Sequence, residues 1–161
     1  MWVLGYGSLM WDNWEQEHGG TRWDHAVLQN YRRSFNKKST QNWGSAQAPG
    51  PTLGLEPDQG ASCVGTAFEF PDDRRAALEA LLKQREGASF ALVELPVRLA
   101  DGREIEALTP VNDRTSGTYI GNARGTKGAC ADYVRNINEK LRALEIIDGG
   151  VDEFAALVGP D

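Results

Sequence analysis

Two alternating runs flank one tight turn. Val93, Leu95, Val97 and Leu99 alternate with Glu94, Pro96 and Arg98, then Asp101-Gly102 follows, then Ile105, Ala107, Thr109 and Val111 alternate again. Alternation with a period of two is the signature of a strand with one buried face, and Asp-Gly between two such runs is the strongest short-range hairpin signal. An antiparallel hairpin is therefore built into the second half of the chain. Pro96 cannot donate to a ladder, so its strand is expected to be an edge at that point.

The rest of the order follows from pattern. Residues 2 to 6 read as a buried strand, and residues 27 to 37 as a second strand with weaker patterning. Residues 42 to 51, with Gly44, Pro49, Gly50 and Pro51, read as a loop, and residues 52 to 55 as a short strand. Residues 62 to 70 place Val64, Thr66, Phe68 and Phe70 on one face and Cys63, Gly65, Ala67 and Glu69 on the other. Pro71-Asp72-Asp73 offers a helix N-cap and an acidic first turn. The spacing of Ala77, Leu78, Leu81 and Leu82 predicts a helix over 74–83 that stops near Glu86-Gly87. A longer helix is predicted over 128–144, with Cys130, Tyr133, Val134, Ile137, Leu141 and Leu144 on one face and Asp148-Gly149-Gly150 after its end. A last helix spans 152–158. Strands and helices do not alternate strictly, which argues against a doubly wound parallel sheet. The expected class is α+β, a small mixed or antiparallel β-barrel flanked by helices, with residues 1–161 forming one domain.

A chain of 161 residues with 40% apolar and 25% charged residues can bury a substantial core. Its net charge of −6 argues against a nucleic-acid partner, since phosphate contacts need clustered Lys and Arg. Arg32-Arg33 with Lys37-Lys38 is the one basic cluster, and a solvated strand edge is its expected place. No apolar run approaches the ~18 residues of a membrane span, and the N-terminal residues lack the basic and apolar regions of a signal peptide. The expectation is a cytoplasmic protein without membrane contact. Two cysteines, Cys63 and Cys130, form no CxxC pair and read as reduced core thiols. Two histidines, His18 and His25, show no metal-ligand spacing, so no metal and no cofactor are expected.

The chemistry concentrates in two places. "VLGYGSLMW", residues 3 to 11, sets two glycines and a serine between apolar segments. Such a turn after a buried strand suits close backbone approach and positive φ, and its N–H groups can hold a carboxylate. An ordinary turn is the competing reading. The phosphate-loop, nucleophile-elbow and dinucleotide patterns all fail here. In "LLKQREGASF", Glu86 follows directly on an apolar helix. A carboxylate at the negative end of a helix dipole has a raised pKa, toward what a general acid/base requires. An exposed glutamate closing the helix is the alternative at that position.

"MWVLGYGSLMW" resembles the start of the ChaC-like γ-glutamylcyclotransferases, whose hallmark is a YGSL substrate loop. "NYRRSFNKKSTQNWG" followed by "PGPTLGLEP", then "CVGTAFEF", "LLKQREG", "ALTPVNDRTSGTYIGN" and "GACADYVRNINEKL" resemble that family in order and spacing across almost the whole chain. The resemblance implies a small mixed barrel flanked by helices. It also implies conversion of a γ-glutamyl compound, glutathione above all, into 5-oxoproline and the released amine. By the same resemblance Gly5, Tyr6, Gly7, Ser8, Leu9 and Met10 form the substrate loop and Glu86 carries the proton, while Tyr119 falls at a matching aromatic position. Phe90 stands where the family often carries tyrosine, which removes a hydroxyl from the site.

The implied reaction needs no protein nucleophile. The substrate's own α-amine attacks its γ-carbonyl, folding by the loop supplies proximity, and one carboxylate serves both proton transfers. The implied partner is a small γ-glutamyl molecule. Two alternatives stay open at this point: a γ-glutamyl-amine cyclotransferase with a different leaving group, and a non-catalytic small-molecule-binding regulator on the same fold.

Overall fold

Five strands, β1 (Trp2–Gly5), β2 (Thr21–Ser39), β3 (Gly50–Glu69), β4 (Phe90–Arg98) and β5 (Glu104–Asn112), close into a barrel in the order β1-β3-β2-β4-β5. Among the described residues four α-helices accompany them: α1 (Trp14–Glu17), α2 (Arg75–Glu86), α3 (Ala131–Ala143) and α4 (Gly149–Val158). The computed structural model describes residues 1–39, 45–47, 49–86, 90–112, 114–117 and 131–158. A barrel of mostly antiparallel strands with outer helices is the class expected from the sequence.

The hairpin forms as its turn dictates. β4 and β5 pair from Phe90↔Asn112 to Arg98↔Glu104, and Gly102 takes a φ of +90° in the turn. β4 meets β2 only at Val27↔Arg98 and Leu28↔Val97, so Pro96 lies just past that contact and pairs with β5 alone. The missing N–H of Pro96 is harmless there. β1 runs antiparallel to β3 and parallel to β5 at Trp2↔Ala107 and Val3↔Leu108, which closes the barrel.

β2 and β3 are far longer than their sequence pattern implies. They pair from Thr21↔Glu69 to Ser39↔Gly50, with register shifts at Asp24/Ala26, Gln29/Tyr31 and Ser34/Lys37. The segments read as two strands, 52–55 and 62–70, are one strand. Gly54, Pro57 and Gly60 break its alternation because bulges bend the ribbon there, and bulges cost a pattern its period. Gly50 and Pro51, expected in a loop, already belong to β3. The basic cluster departs from the expected solvated edge at Arg33: residues 32 to 38 of β2 pair with β3 alone, since β4 meets β2 only at Val27 and Leu28, but Arg33 is buried while Arg32, Lys37 and Lys38 are half-buried.

Both faces of the wall are covered, which is why β3 reads apolar on both sides. On one side, Leu4, Phe35, Leu55 and Ala67 cluster with Val134, Ile137 and Leu141 of α3 and Phe154 of α4; the Phe35 and Phe154 rings stack with centroids 4.2 Å apart. On the other, Phe68 and Phe70 cluster with Trp14 of α1 and with Leu78 and Leu82 of α2. Each such buried side chain contributes about 1.5–3 kcal/mol. α2 ends at Glu86 as expected, but Ala77 faces solvent, and the capping prediction fails: Asp72 makes no cap bond and instead accepts from the Met1 nitrogen.

The C-terminal boundaries also differ. α3 stops at Ala143, Glu145 turns the chain at a φ of 56°, and Asp148 caps α4 by accepting from the Val151 N–H at 3.1 Å. Asp148-Gly149-Gly150 therefore begins a helix rather than closing one. The short helix α1 carries no signal in the sequence strong enough to predict it. Cys130 and Tyr119 lie outside the described residues. No helix among the described residues is long and apolar enough to cross a membrane.

Candidate active site

Residues 6 to 10 leave β1 and turn tightly: the Met10 N–H donates to the Gly7 carbonyl at 3.0 Å, and Ser8–Met10 form one 3-10 turn. The carbonyls of this loop are held from the protein side. Arg33 Nε donates to the Tyr6 carbonyl at 2.7 Å, and Trp14 Nε1 donates to the Leu9 carbonyl at 3.1 Å. Tyr6 Oη donates to the Pro110 carbonyl at 2.7 Å, which ties the loop to β5. With the carbonyls so used, the N–H groups of Gly7, Ser8 and Leu9 find no acceptor among the described residues.

Neither glycine of this loop takes a positive φ, and only Gly5 is required by size. Gly7 has φ −136°. A Cβ on Gly5 would meet Leu9 Cβ and Phe68 Cε2 at 3.0 Å, whereas one on Gly7 would meet only Leu53 Cδ2, at 3.6 Å. Gly65 across the ladder is tighter still, since its Cβ would lie 2.4 Å from the Gly5 carbonyl oxygen.

Two adjoining cavities open beside the loop. The inner one, about 40 Å³, is walled by Tyr6, Gly7, Ser8 and Leu9 on one side and by Leu53, Pro110, Tyr133 and Glu86 on the other. The outer one, about 180 Å³, shares Ser8, Leu53, Tyr133 and Glu86 and extends past Trp11, Lys37, Phe90 and Asn136. Glu86 is thus common to both. Of the six loop residues expected at the substrate, Tyr6 through Leu9 line a cavity. Gly5 and Met10 do not: both are buried, and Met10 packs in the barrel core with its sulfur 3.7 Å from Arg33 Nη2. Their part is to shape the loop.

α2 delivers Glu86 to this place, and a clamp fixes it. Arg85 donates to the Asp12 carboxylate just beyond the loop, and Lys37 Nζ donates to the Glu86 carbonyl at 2.9 Å. Burial pushes the Glu86 carboxyl above its ordinary value of 4.5; the Lys37 and Arg85 charges oppose that shift and Asp12 adds to it. Desolvation, not the helix dipole, is therefore the leading cause. Tyr6 is buried, and its phenol is held well above its ordinary range by burial first and then by the neighbouring Glu86, so it stays a donor.

Three residues of this site are not singled out by sequence reasoning. Tyr133, read as a core residue of α3, lines both cavities, and its hydroxyl oxygen accepts from the Leu53 N–H at 3.2 Å. Lys37 stands over the Phe90 ring at 4.0 Å. Arg33 joins three parts of the fold: besides Tyr6 it bonds the Val64 carbonyl and pairs with Asp148 at 2.8 Å. Their only common signal is a polar or aromatic residue placed where the strand or helix pattern calls for an apolar one. Cys63 is fully buried among apolar side chains, with its thiol pushed up to about 11. That makes it a packing residue rather than a nucleophile.

Comparison with known proteins agrees with this architecture. A family model described as ChaC-like protein matches residues 1–160. Gamma-glutamylcyclotransferase 2-3 of Arabidopsis thaliana is 28% identical, over 96% of this chain and 86% of its own length. A glutathione-specific gamma-glutamylcyclotransferase of Escherichia coli is 26% identical, over 98% and 72% respectively. Among solved structures, a selenomethionine-labelled γ-glutamyl cyclotransferase specific to glutathione from yeast superposes with a TM-score of 0.84 at 17% identity, covering 98% of this chain and 95% of that one, so it shares the fold. With a barrel of this topology and a family match over nearly its full length, the chain belongs to the ChaC-like protein family.

Proposed function

We propose that the protein is a γ-glutamylcyclotransferase that converts glutathione to 5-oxoproline and cysteinylglycine, with Glu86 as the proton-transfer residue. The observation that carries this is the place of Glu86: a residue at a helix end with a desolvated carboxyl, lining two adjoining cavities, opposite a turn whose Gly7, Ser8 and Leu9 N–H groups meet no acceptor among the described residues. The names of the relatives support the same reaction.

The residues divide the work by chemistry. The γ-glutamyl α-carboxylate docks at the N–H groups of Gly7, Ser8 and Leu9, which folds the substrate back on itself. Its α-ammonium gives a proton to Glu86, and the freed amine attacks the γ-carbonyl carbon. A five-membered ring closes as the C–N bond forms, and Glu86 passes the first proton to the amide nitrogen as the amide C–N bond breaks. The ring nitrogen gives up its second proton by the same carboxylate to the freed amine, which leaves the neutral lactam of 5-oxoproline and the cysteinylglycine ammonium. The raised carboxyl pKa suits both halves of this exchange, because a base near the working pH can also act as the acid. Proximity supplies much of the barrier reduction. Trp11 and the outer cavity receive the leaving peptide.

The test is product analysis. Incubation with glutathione should release 5-oxoproline in equal amount with cysteinylglycine. A substrate acetylated at the γ-glutamyl α-nitrogen should give neither, because its nucleophile is blocked. Cleavage of the acetylated substrate to a glutamate derivative would mean hydrolysis and would overturn ring closure.

A further inference from the structure

Lys37 brings a charge into the outer cavity with no ion-pair partner among the described residues. Its ammonium uses one N–H on the Glu86 carbonyl and rests on the Phe90 ring at 4.0 Å. Among the described residues no carboxylate lies within 4.0 Å of it, and Glu86, the one acidic group acting on it, forms no ion pair with it. Arg85 lines the same cavity but is already paired with Asp12. Burial holds the Lys37 pKa below its ordinary value of 10.5. Taking an ammonium partly out of water without an anion to meet it costs free energy, and a ligand anion would repay that cost. The aromatic face of Phe90 offsets only part of it.

We infer that Lys37 is a specificity-determining residue that binds a carboxylate on the leaving-group side of the substrate. The site then selects γ-glutamyl peptides that end in a free carboxylate over γ-glutamyl amines that lack one. This rests on the cyclotransferase reading above. The two cavities supply the geometry: the inner one, bounded by the Gly7–Leu9 turn, fits the γ-glutamyl end, and the adjoining outer one, which shares Glu86 with it, carries Lys37. A substrate spanning Glu86 has its reacting amide there and its distal end toward Lys37. In glutathione that distal group is the glycine carboxylate. Phe90 fits this role better than tyrosine would, since it carries the ammonium on an apolar face and leaves all free Lys37 donors for the ligand.

The experiment compares glutathione with its glycinamide analogue, in wild type and in Lys37→Met, by 5-oxoproline release. Wild type should show a KM for the amide roughly 10–100-fold higher, the usual worth of a hydrogen bond to a charged group, with kcat little changed. Lys37→Met should abolish the KM difference between the two substrates, while any fall in kcat from losing the contact with the Glu86 carbonyl is common to both; Lys37→Arg should restore the preference. Equal KM values for the two substrates in wild type overturn the assignment without any variant. So does a Lys37→Met variant that keeps the wild-type KM ratio, which would make Lys37 a partner of Glu86 only. Failure of the cyclotransferase reading looks different: neither substrate yields 5-oxoproline with wild type.

Discussion

Arg33 Nε lies 2.7 Å from the carbonyl oxygen of Tyr6, and the same guanidinium pairs with Asp148 at 2.8 Å. One buried side chain thus fastens the candidate substrate loop to β2 and to the start of α4. The pair is far from the exposed ion pairs that contribute little. Arg33→Met would leave Tyr6 and Val64 carbonyls without their donor and Asp148 without its cation. We expect a loss of about 3–5 kcal/mol in denaturant unfolding. Asp148→Asn should be destabilising too, and the double variant should cost clearly less than the sum of the two. Additive costs would mean the pair does not act as a unit.

The glycine positions separate shape from function. Gly65→Ala drives a Cβ to 2.4 Å from a backbone oxygen, so the strand β1 must move, and a marked fall in thermal midpoint is expected. Gly7→Ala meets only an ordinary contact with Leu53. It should fold as wild type yet weaken substrate binding, since the added methyl sits at the inner cavity. Normal binding by Gly7→Ala would remove the loop from the carboxylate-docking role.

Cys63→Ala should keep turnover per folded molecule while losing about 1 kcal/mol of stability through the cavity left behind. A folded, inactive Cys63→Ala would contradict the assignment of Cys63 to packing.

Glu86 makes a paired statement about pH. Its folded-state pKa is raised by burial, so below the unfolded-chain value near 4.5 it costs the fold nothing. Above that value the unfolded chain ionises first, and stability falls as pH rises through the folded-state pKa. Glu86→Gln removes this dependence: its melting temperature relative to wild type should climb as pH rises from the ordinary value of 4.5 through the raised folded-state pKa. In the same window the wild-type kcat/KM should rise with pH, because the base form is the one that accepts the ammonium proton, with a midpoint above that of an ordinary glutamate. A flat difference in melting temperature would place Glu86 in solvent.

Much of this was legible in the residues, and the failures share a cause. The β4–β5 hairpin follows from its alternation and from Asp101-Gly102, because local turn chemistry decides it. The end of α2 follows from its apolar spacing. The length of β2 and β3 does not, because Pro57, Gly60 and the bulges erase the period that marks a strand. Tyr6 to Leu9 and Glu86 stand out through the family pattern. Lys37 and Tyr133 reach the cavities only through the pairing of β2 with β3 and the packing of α3, which no local window contains. Arg33 reads as surface because an arginine buried by a partner 115 residues away leaves no trace nearby in sequence.

Turnover by Glu86→Gln, beside calorimetric binding of glutathione to the same variant, tests the central claim most directly. The amide keeps the size of the side chain but cannot take the substrate proton. The expected result is a fall in kcat of about 10²–10⁴-fold, the usual worth of a positioned general acid/base, with glutathione affinity nearly unchanged because binding is assigned to the Gly7–Leu9 turn and to Lys37. Wild-type release of 5-oxoproline by well-folded Glu86→Gln would contradict it and give the proton transfer to another residue.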